Sequence, residues 1–319
     1  KEVFKLKCCV IKVLLLSLQK CILMPQENNI FFTTPDKPKW LKLIVDSYQR
    51  YNSQGNGIQV FISFGTDIAV KDLMPMHLVT LACLIQFLSD HNWQANLVWN
   101  NSSVADYIYN ELRFRDYWSG QKNHVDTADS SHIFNLWRIV DGEKEPFAAR
   151  VEEYLKNNYF KNKDLSAVSL SLKEAFYNVF DHASAGNNAF SLIFYDKDTH
   201  VLYAAISDFG IGIVRSVKKY VPSIIDDKQA LLKAIENNFT VKSERWNKGK
   251  GLDNILSSTD SSRLCSGRAL LLYKKKDKYD MQGNKRVYDI DFDFPGTLLY
   301  FEVDISQMDD VEILDSFEF

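Results

Sequence analysis

The chain has 319 residues, enough for two domains of ordinary size, and 46% of them are hydrophobic against 25% charged. That balance suits a soluble globular protein with a substantial core. The formal net charge of −3, with no long run of one sign, supplies no basic surface for nonspecific nucleic-acid binding.

The five cysteines (Cys8, Cys9, Cys21, Cys83 and Cys265) are odd in number and form no C-x-x-C pair. They point to reduced thiols in a cytoplasmic protein, not to a disulfide framework or a zinc site.

The first stretch, "KLKCCVIKVLLLSLQKCILM", has a charged start and an apolar body. Lys12 and Lys20 interrupt it and no small-x-small cleavage site follows, so it makes a poor signal peptide. It is also too short and too charged for a membrane span. Met24 opens an alternative start, "MPQENNIFF". Residues 1–23 are therefore expected to be upstream sequence or a fragment edge, with a first strand or helix of the domain as the other possibility.

From Met24 a small α/β unit is expected to run to about residue 145. "KPKWLKLIVDSYQRY" has the spacing of an amphipathic helix, and "GIQVFISFG" is a strand bounded by glycines. "MHLVTLACLIQFLSDHN" predicts a helix without a breaker, and "QANLVW" a short strand. "SSVADYIYNELRFRDYW" predicts another helix, capped by Ser102 or Ser103. Strand–helix alternation of this kind implies partly parallel pairing. The element order over residues 55–118 resembles the STAS-like domains found beside kinases and anti-sigma factors. The Asp-Ser pair of such regulators is absent from "FGTDIAVKDLMPMH", and Asp129-Ser130-Ser131 falls in a polar linker that also holds the strand-like "HIFNLWRIV".

Residues 146–319 read as a second domain. "EPFAARVEEYLKNNYF" and "DLSAVSLSLKEAFYNVFDHA" are helices, and "AFSLIFYD" and "THVLYAAISD" form an antiparallel hairpin about an Asp196–Thr199 turn. A polar, largely helical segment follows from Ile213 to Asn247. "GKGLDNILSST" starts a helix, and "RALLLYKKK" and "GTLLYFEVDI" are strands flanking a polar excursion, "DKYDMQGNKRVYDIDFDF". Helices with mostly antiparallel strands fit a two-layer α/β sandwich.

Within this domain "SDFGIGI" offers two nucleotide motifs. Asp208-Phe209-Gly210 spells the D-F-G of protein kinases, but the H-R-D-x-x-x-x-N loop, the V-A-I-K lysine and the A-P-E are missing. No G-x-x-x-x-G-K-[ST] loop is present either. Asp208-x-Gly210-x-Gly212, in contrast, closes a strand and is accompanied by three other blocks. In "LKEAFYNVFDHA", Glu174, Asn178 and His182 recur every four residues on one helix face, opposite an apolar stripe of Leu172, Ala175, Phe176, Val179 and Ala183. In "NKGKGLDNI", Gly249 and Gly251 precede a helix. In "PGTLLYFEV", Gly296-Thr297 opens a late strand.

Together, and in this order, the four blocks resemble the N, G1, G2 and G3 boxes of the GHKL ATPases. That superfamily includes DNA gyrase B, the MutL mismatch-repair proteins, sensor histidine kinases and anti-sigma serine kinases. The resemblance covers about residues 150–306 and implies the Bergerat ATP-binding fold, with ATP and Mg²⁺ as cofactors. It implies that Asn178 binds the magnesium, for which an amide oxygen is a suitable hard ligand. Asp208 would accept from the adenine amino group, supported by Thr297, and Gly210 and Gly212 would admit the base and ribose. Gly249 and Gly251 would leave backbone N–H groups for phosphate at a helix start, with Lys250 adding charge. Glu174 matches the glutamate that activates water or a substrate hydroxyl.

Competing roles exist for several of these residues. Ser171-x-x-Glu174 is also a capping box, although Asp164 or Ser166 offers an earlier helix start. His182 suits a structural role, Lys250 a surface one, and Lys242 and Arg245 a solvated lid. None of the six histidines sits as a histidine-kinase acceptor, since His132 precedes Ile and His91 precedes Asn. The resemblance therefore implies a regulatory phosphotransferase of the anti-sigma serine-kinase type acting on a protein partner through the N-terminal unit. The alternatives are an ATP-hydrolysing switch of the gyrase B/MutL type and a non-catalytic ATP-sensing adaptor. The gyrase branch carries a transducer domain with a phosphate-reaching lysine, and few residues follow the last strand here. Nucleic acid and membrane are not expected partners, and a homodimer is left open.

Overall fold

The computed structural model describes residues 28–114, 133–139, 141–178, 188–236, 239, 251–277, 280 and 283–311. The N-terminal stretch 1–23 and the Asp129–Ser131 triplet lie outside the described residues. The protein is mixed α/β, with a three-stranded parallel sheet and a five-stranded antiparallel one.

The parallel sheet alternates strongly with helix: β1 (Asn29–Phe32), α1 (Lys37–Arg50), β2 (Gln59–Phe64), α2 (Pro75–Asp90) and β3 (Gln94–Leu97). Asp36 starts α1 by accepting from the Lys39 N–H at 3.2 Å, and proline stands in the first turn of both helices. With strands in the order β1-β2-β3, right-handed crossovers put α1 and α2 on one face. The Trp40 indole donates to Thr80 Oγ1 at 3.2 Å and ties the two helices together. Every residue of α2 from Pro75 to Leu88 is buried. A helix apolar all round needs cover on all sides.

The second sheet supplies the missing cover. Its order is β4-β5-β6-β8-β7, from β4 (Ile133–Arg138), β5 (Ala189–Asp196), β6 (Val201–Asp208), β7 (Ser261–Lys274) and β8 (Asn284–Asp304). Strand alternation sends Phe190, Leu192 and Ala205 into one core with α1 and α2. Ala189, Ile193 and Ala204 enter a second core with α4 (Lys144–Asn158), α5 (Ser166–Asn178), and the later helices α6 (Gly212–Tyr220), α7 (Asp227–Ala234) and α8 (Gly251–Ser258). The layers run sheet, helices, sheet, helices.

Three local expectations change. The helix expected after β3 opens as α3 (Ser102–Asp106), breaks into a π-helical turn at Tyr107–Glu111, and is helical again at Phe114, with residues 115–118 outside the described residues. Its cap is Asn101, not Ser102 or Ser103: the Asn101 side chain accepts from Val104 N–H and donates to the Gly65 and Ile68 carbonyls. Asn101 thus does two tasks a serine cannot reach. The polar excursion before Gly296 is largely the first half of β8, which pairs with β7 as a long hairpin. Backbone pairing with β7 overrides its high charge. Finally, β4 lies before residue 145 yet pairs antiparallel with β5, so the five-stranded sheet draws one edge strand from the N-terminal side of that position.

Because α2 closes one face of the five-stranded sheet, a fragment of residues 146–319 is expected to expose Phe190, Leu192, Phe294 and Tyr300. It should bind a hydrophobic dye and lose cooperative unfolding. A soluble fragment with the melting temperature of the full chain would refute the shared core.

Candidate functional site

The helix α5 begins at Ser166, where the Asp164 carboxylate accepts the Ser166 N–H at 2.9 Å. Ser171 and Glu174 are therefore interior, and the capping-box role for that pair is excluded. Val168, Leu172, Ala175 and Phe176 are buried against the sheet. Glu174 and Asn178, one turn apart, are half-buried. The Asn178 Nδ2 atom is itself buried and has no hydrogen-bond partner among the described residues.

Asp208 ends β6 and is 2% exposed. Its register partner on β8 is Thr297, whose N–H and hydroxyl both donate to the carboxylate. The Gly210 N–H donates to the same carboxylate at 2.9 Å. The Thr297 hydroxyl also accepts from the Ile213 N–H at 3.2 Å. Among the described residues, no cation pairs with Asp208. Burial therefore dominates and raises its pKa to about 7, against the pull of these three donors. A carboxyl held so far from its ordinary range by desolvation is characteristic of functional sites.

Two glycines make this geometry feasible. Gly296 has φ +112°, and a Cβ there would lie 2.2 Å from the Asp208 carbonyl oxygen. Gly212 has φ +73°, and a Cβ would meet the Gly296 carbonyl oxygen at 2.4 Å. The close approach at Gly212 is thus to the protein's own bulge on β8. Ser266, not singled out by the motifs, fastens that bulge: its hydroxyl donates to the Gly296 carbonyl at 2.7 Å and accepts the Val214 N–H at 3.3 Å.

Asn178, Asp208 and Thr297 line one cavity with Ala175, Ile213 and Leu252 of the first turn of α8. The fold therefore joins the first, second and fourth sequence blocks, together with the helix that follows the third. Gly251 is the first residue of α8. Gly249 and Lys250, like His182, Lys242 and Arg245, lie outside the described residues. The cavity has a volume of about 20 Å³, room for a single water. At this volume the cavity does not hold a nucleobase.

A larger cavity of about 690 Å³ lies elsewhere, where β7 curls until the Lys275 N–H reaches the Asp260 carbonyl at 2.9 Å. Size alone would favour it as a ligand site. Its central charges already satisfy one another, with Arg263 and Ser261 both donating to Glu302, at 3.0 and 2.9 Å. The unmet chemistry lies in the small cavity. Among the described residues, no group of three or more histidine, cysteine or acidic side chains is arranged to hold a metal.

Asp208→Asn tests the cost of this carboxyl. The folded pKa is raised above the unfolded value of 3.8, so the stability associated with its protonation is complete below 3.8 and lost as pH rises to about 7. The amide keeps the acceptor for Gly210 and removes the buried charge. At pH 8 the variant is expected to be more stable by about 2–4 kcal/mol, with little difference at pH 4. Chemical denaturation at the two pH values checks this. Gly296→Ala should instead destabilise by about 2 kcal/mol or more at either pH.

No family model, curated protein or solved structure matches this chain.

Proposed function

We propose that the chain is an Mg²⁺-dependent adenine-nucleotide-binding protein with a Bergerat-type sandwich. It resembles the histidine-kinase-like and anti-sigma serine-kinase group of GHKL ATPases and acts as a regulatory phosphotransferase on a protein partner. The observation that carries this is Asp208: a buried carboxylate at a strand end that has no counter-ion among the described residues and shares a cavity with the Asn178 amide, whose nitrogen has no partner among them. Such a group destabilises the ligand-free fold, and a donor such as an exocyclic amino group would offset that cost.

The remaining residues fit the same ligand. Asn178 would present its amide oxygen to the metal, and phosphate and water would complete the shell. Bound Mg²⁺ would neutralise phosphate charge. Glu174, on the same helix face one turn earlier, would accept a proton from the attacking hydroxyl or water. The N–H groups at the start of α8, with Gly249, Lys250 and Gly251 ahead of and at that start, would hold phosphate. Gly210 and Gly212 keep the Asp208 turn compact. The N-terminal parallel unit is the part proposed to meet the partner, as in STAS-like regulators. No helix among the described residues is long and apolar enough to cross a membrane.

Nucleotide binding should depend on pH with a defined sign. The adenine amino group donates to the ionised carboxylate, so binding displaces a proton below the carboxyl pKa. From a pKa of about 7, ATP is expected to bind about tenfold more weakly at pH 6 than at pH 8, as read by calorimetry. Asp208→Ala should abolish binding, and an Asp208→Ala protein that binds ATP normally would overturn the assignment.

The fate of the γ-phosphate separates the phosphotransferase from the switch. Protein incubated with Mg²⁺ and γ-labelled ATP should retain intact nucleotide until an acceptor is added. Steady phosphate release that Glu174→Ala stops would identify the hydrolysing switch instead.

A further inference from the structure

The end of β6 addresses two layers with successive residues. Ile206 and Asp208 line the small cavity, whereas Ala205 and Phe209 pack into the core that contains α1 and α2. The Phe209 ring meets Tyr48 edge-on at 5.4 Å between centroids, Phe87 at 6.4 Å and Phe294 at 5.9 Å. Tyr48 and Phe87 belong to α1 and α2. Edge-to-face contacts of this kind favour particular ring orientations.

The backbone is held from the same side. The Phe209 N–H donates to the Asn188 carbonyl at 3.1 Å, and the Asn188 side-chain amide donates to the Cys83 carbonyl of α2 at 3.0 Å. The Cys83 thiol donates to the Ser207 carbonyl at 3.4 Å. Both neighbours of Asp208 are thus fastened to α2, while the Asp208 carboxylate is oriented by Gly210, the residue after Phe209. None of these partners lines the nucleotide cavity.

We propose that Phe209 is a positioning residue for Asp208, and that through it the packing of α2 and the nucleotide affinity form one coupled equilibrium. The N-terminal layer then regulates the pocket in cis. This rests on the nucleotide assignment for its ligand but not for its mechanics. Coupling of this kind is reciprocal: nucleotide must protect α2 as much as α2 packing favours nucleotide.

The test uses the full chain with Phe209→Leu and Phe87→Leu. Val151→Ala, in α4 within the opposite core, serves as a comparably disruptive control. Two quantities are measured: ATP affinity with Mg²⁺, and the titration midpoint of the Asp208 carboxyl by carbon NMR without nucleotide. The polar groups facing that carboxyl are Thr297 and Gly210 from its own sheet and loop, and the Asn178 amide of α5 lines the same cavity, whereas the Cys83 thiol of α2 is on the other side of β6 and bonds the Ser207 carbonyl. Both leucine variants are expected to weaken ATP on the order of fivefold and to lower the midpoint as the joint loosens. Val151→Ala should change neither. Saturating Mg-ATP should slow amide exchange across Pro75–Asp90. Wild-type affinity and midpoint in both leucine variants, or equal changes in Val151→Ala, would overturn the proposal. If the wild-type chain binds no ATP, the nucleotide assignment has failed, and amide exchange at Gly210, whose N–H donates to the Asp208 carboxylate, decides the mechanical coupling: faster exchange in both leucine variants but not in Val151→Ala supports it, and unchanged exchange overturns it.

Discussion

The burial of α2 governs the architecture. From Pro75 to Leu88 every residue is buried, so the helix cannot sit on the outside of a small α/β unit. One side is closed by the parallel sheet and the other by β5 and β6. At roughly 25 cal/mol for each Å² of apolar surface removed from water, a helix of this composition is far more stable between two sheets than against one. The two halves of the chain consequently share a core. Polar contacts finish the joint: Arg138 of β4 donates to Gln86 of α2, and Asn188 reaches the Cys83 carbonyl.

The same arrangement places a destabilising group where it is useful. Asp208 ends the strand that α2 supports and faces away from α2 into the small cavity. Its three donors come from the Gly210 turn and from Thr297, which β8 delivers only because Gly296 permits a bulge there. Three neutral donors do not replace the hydration of a carboxylate. The carboxyl is therefore raised toward neutrality, and the fold carries a buried charge that packing alone would not select. Natural proteins accept such conflicts mainly at functional sites.

Much of the candidate site was legible in the sequence. The four-residue spacing of Glu174 and Asn178, the strand-ending Asp208 and the Gly296-Thr297 pair are local patterns, and helix and strand periods place them on definite faces. Local pattern also served the elements: α1, α2 and the Ala189–Asp208 hairpin follow directly from periodicity. The signal for Phe209 was present too, inside "SDFG", but its meaning was not. A phenylalanine beside a strand-ending aspartate could face either layer until the second layer was known. Ser266 and Asn188 carry no motif, because their roles are to satisfy backbone groups brought near by other segments. The capping residue Asn101 escaped for the same reason, since two of its partners lie in the loop after β2.

The sequence by itself determined most of the secondary elements, the mixed α/β class and the candidate residues of the small cavity, because these depend on periodicity and side-chain chemistry within short windows. Only the tertiary structure decided the rest. It joined β4 to the later strands, turned a charged excursion into half of β8, shut the cavity to about 20 Å³, and set α2 behind Asp208. Each of those outcomes turns on which buried surfaces meet across long sequence separations. Hydrophobic burial is non-directional, so the choice among partners is made by the packing of the whole chain.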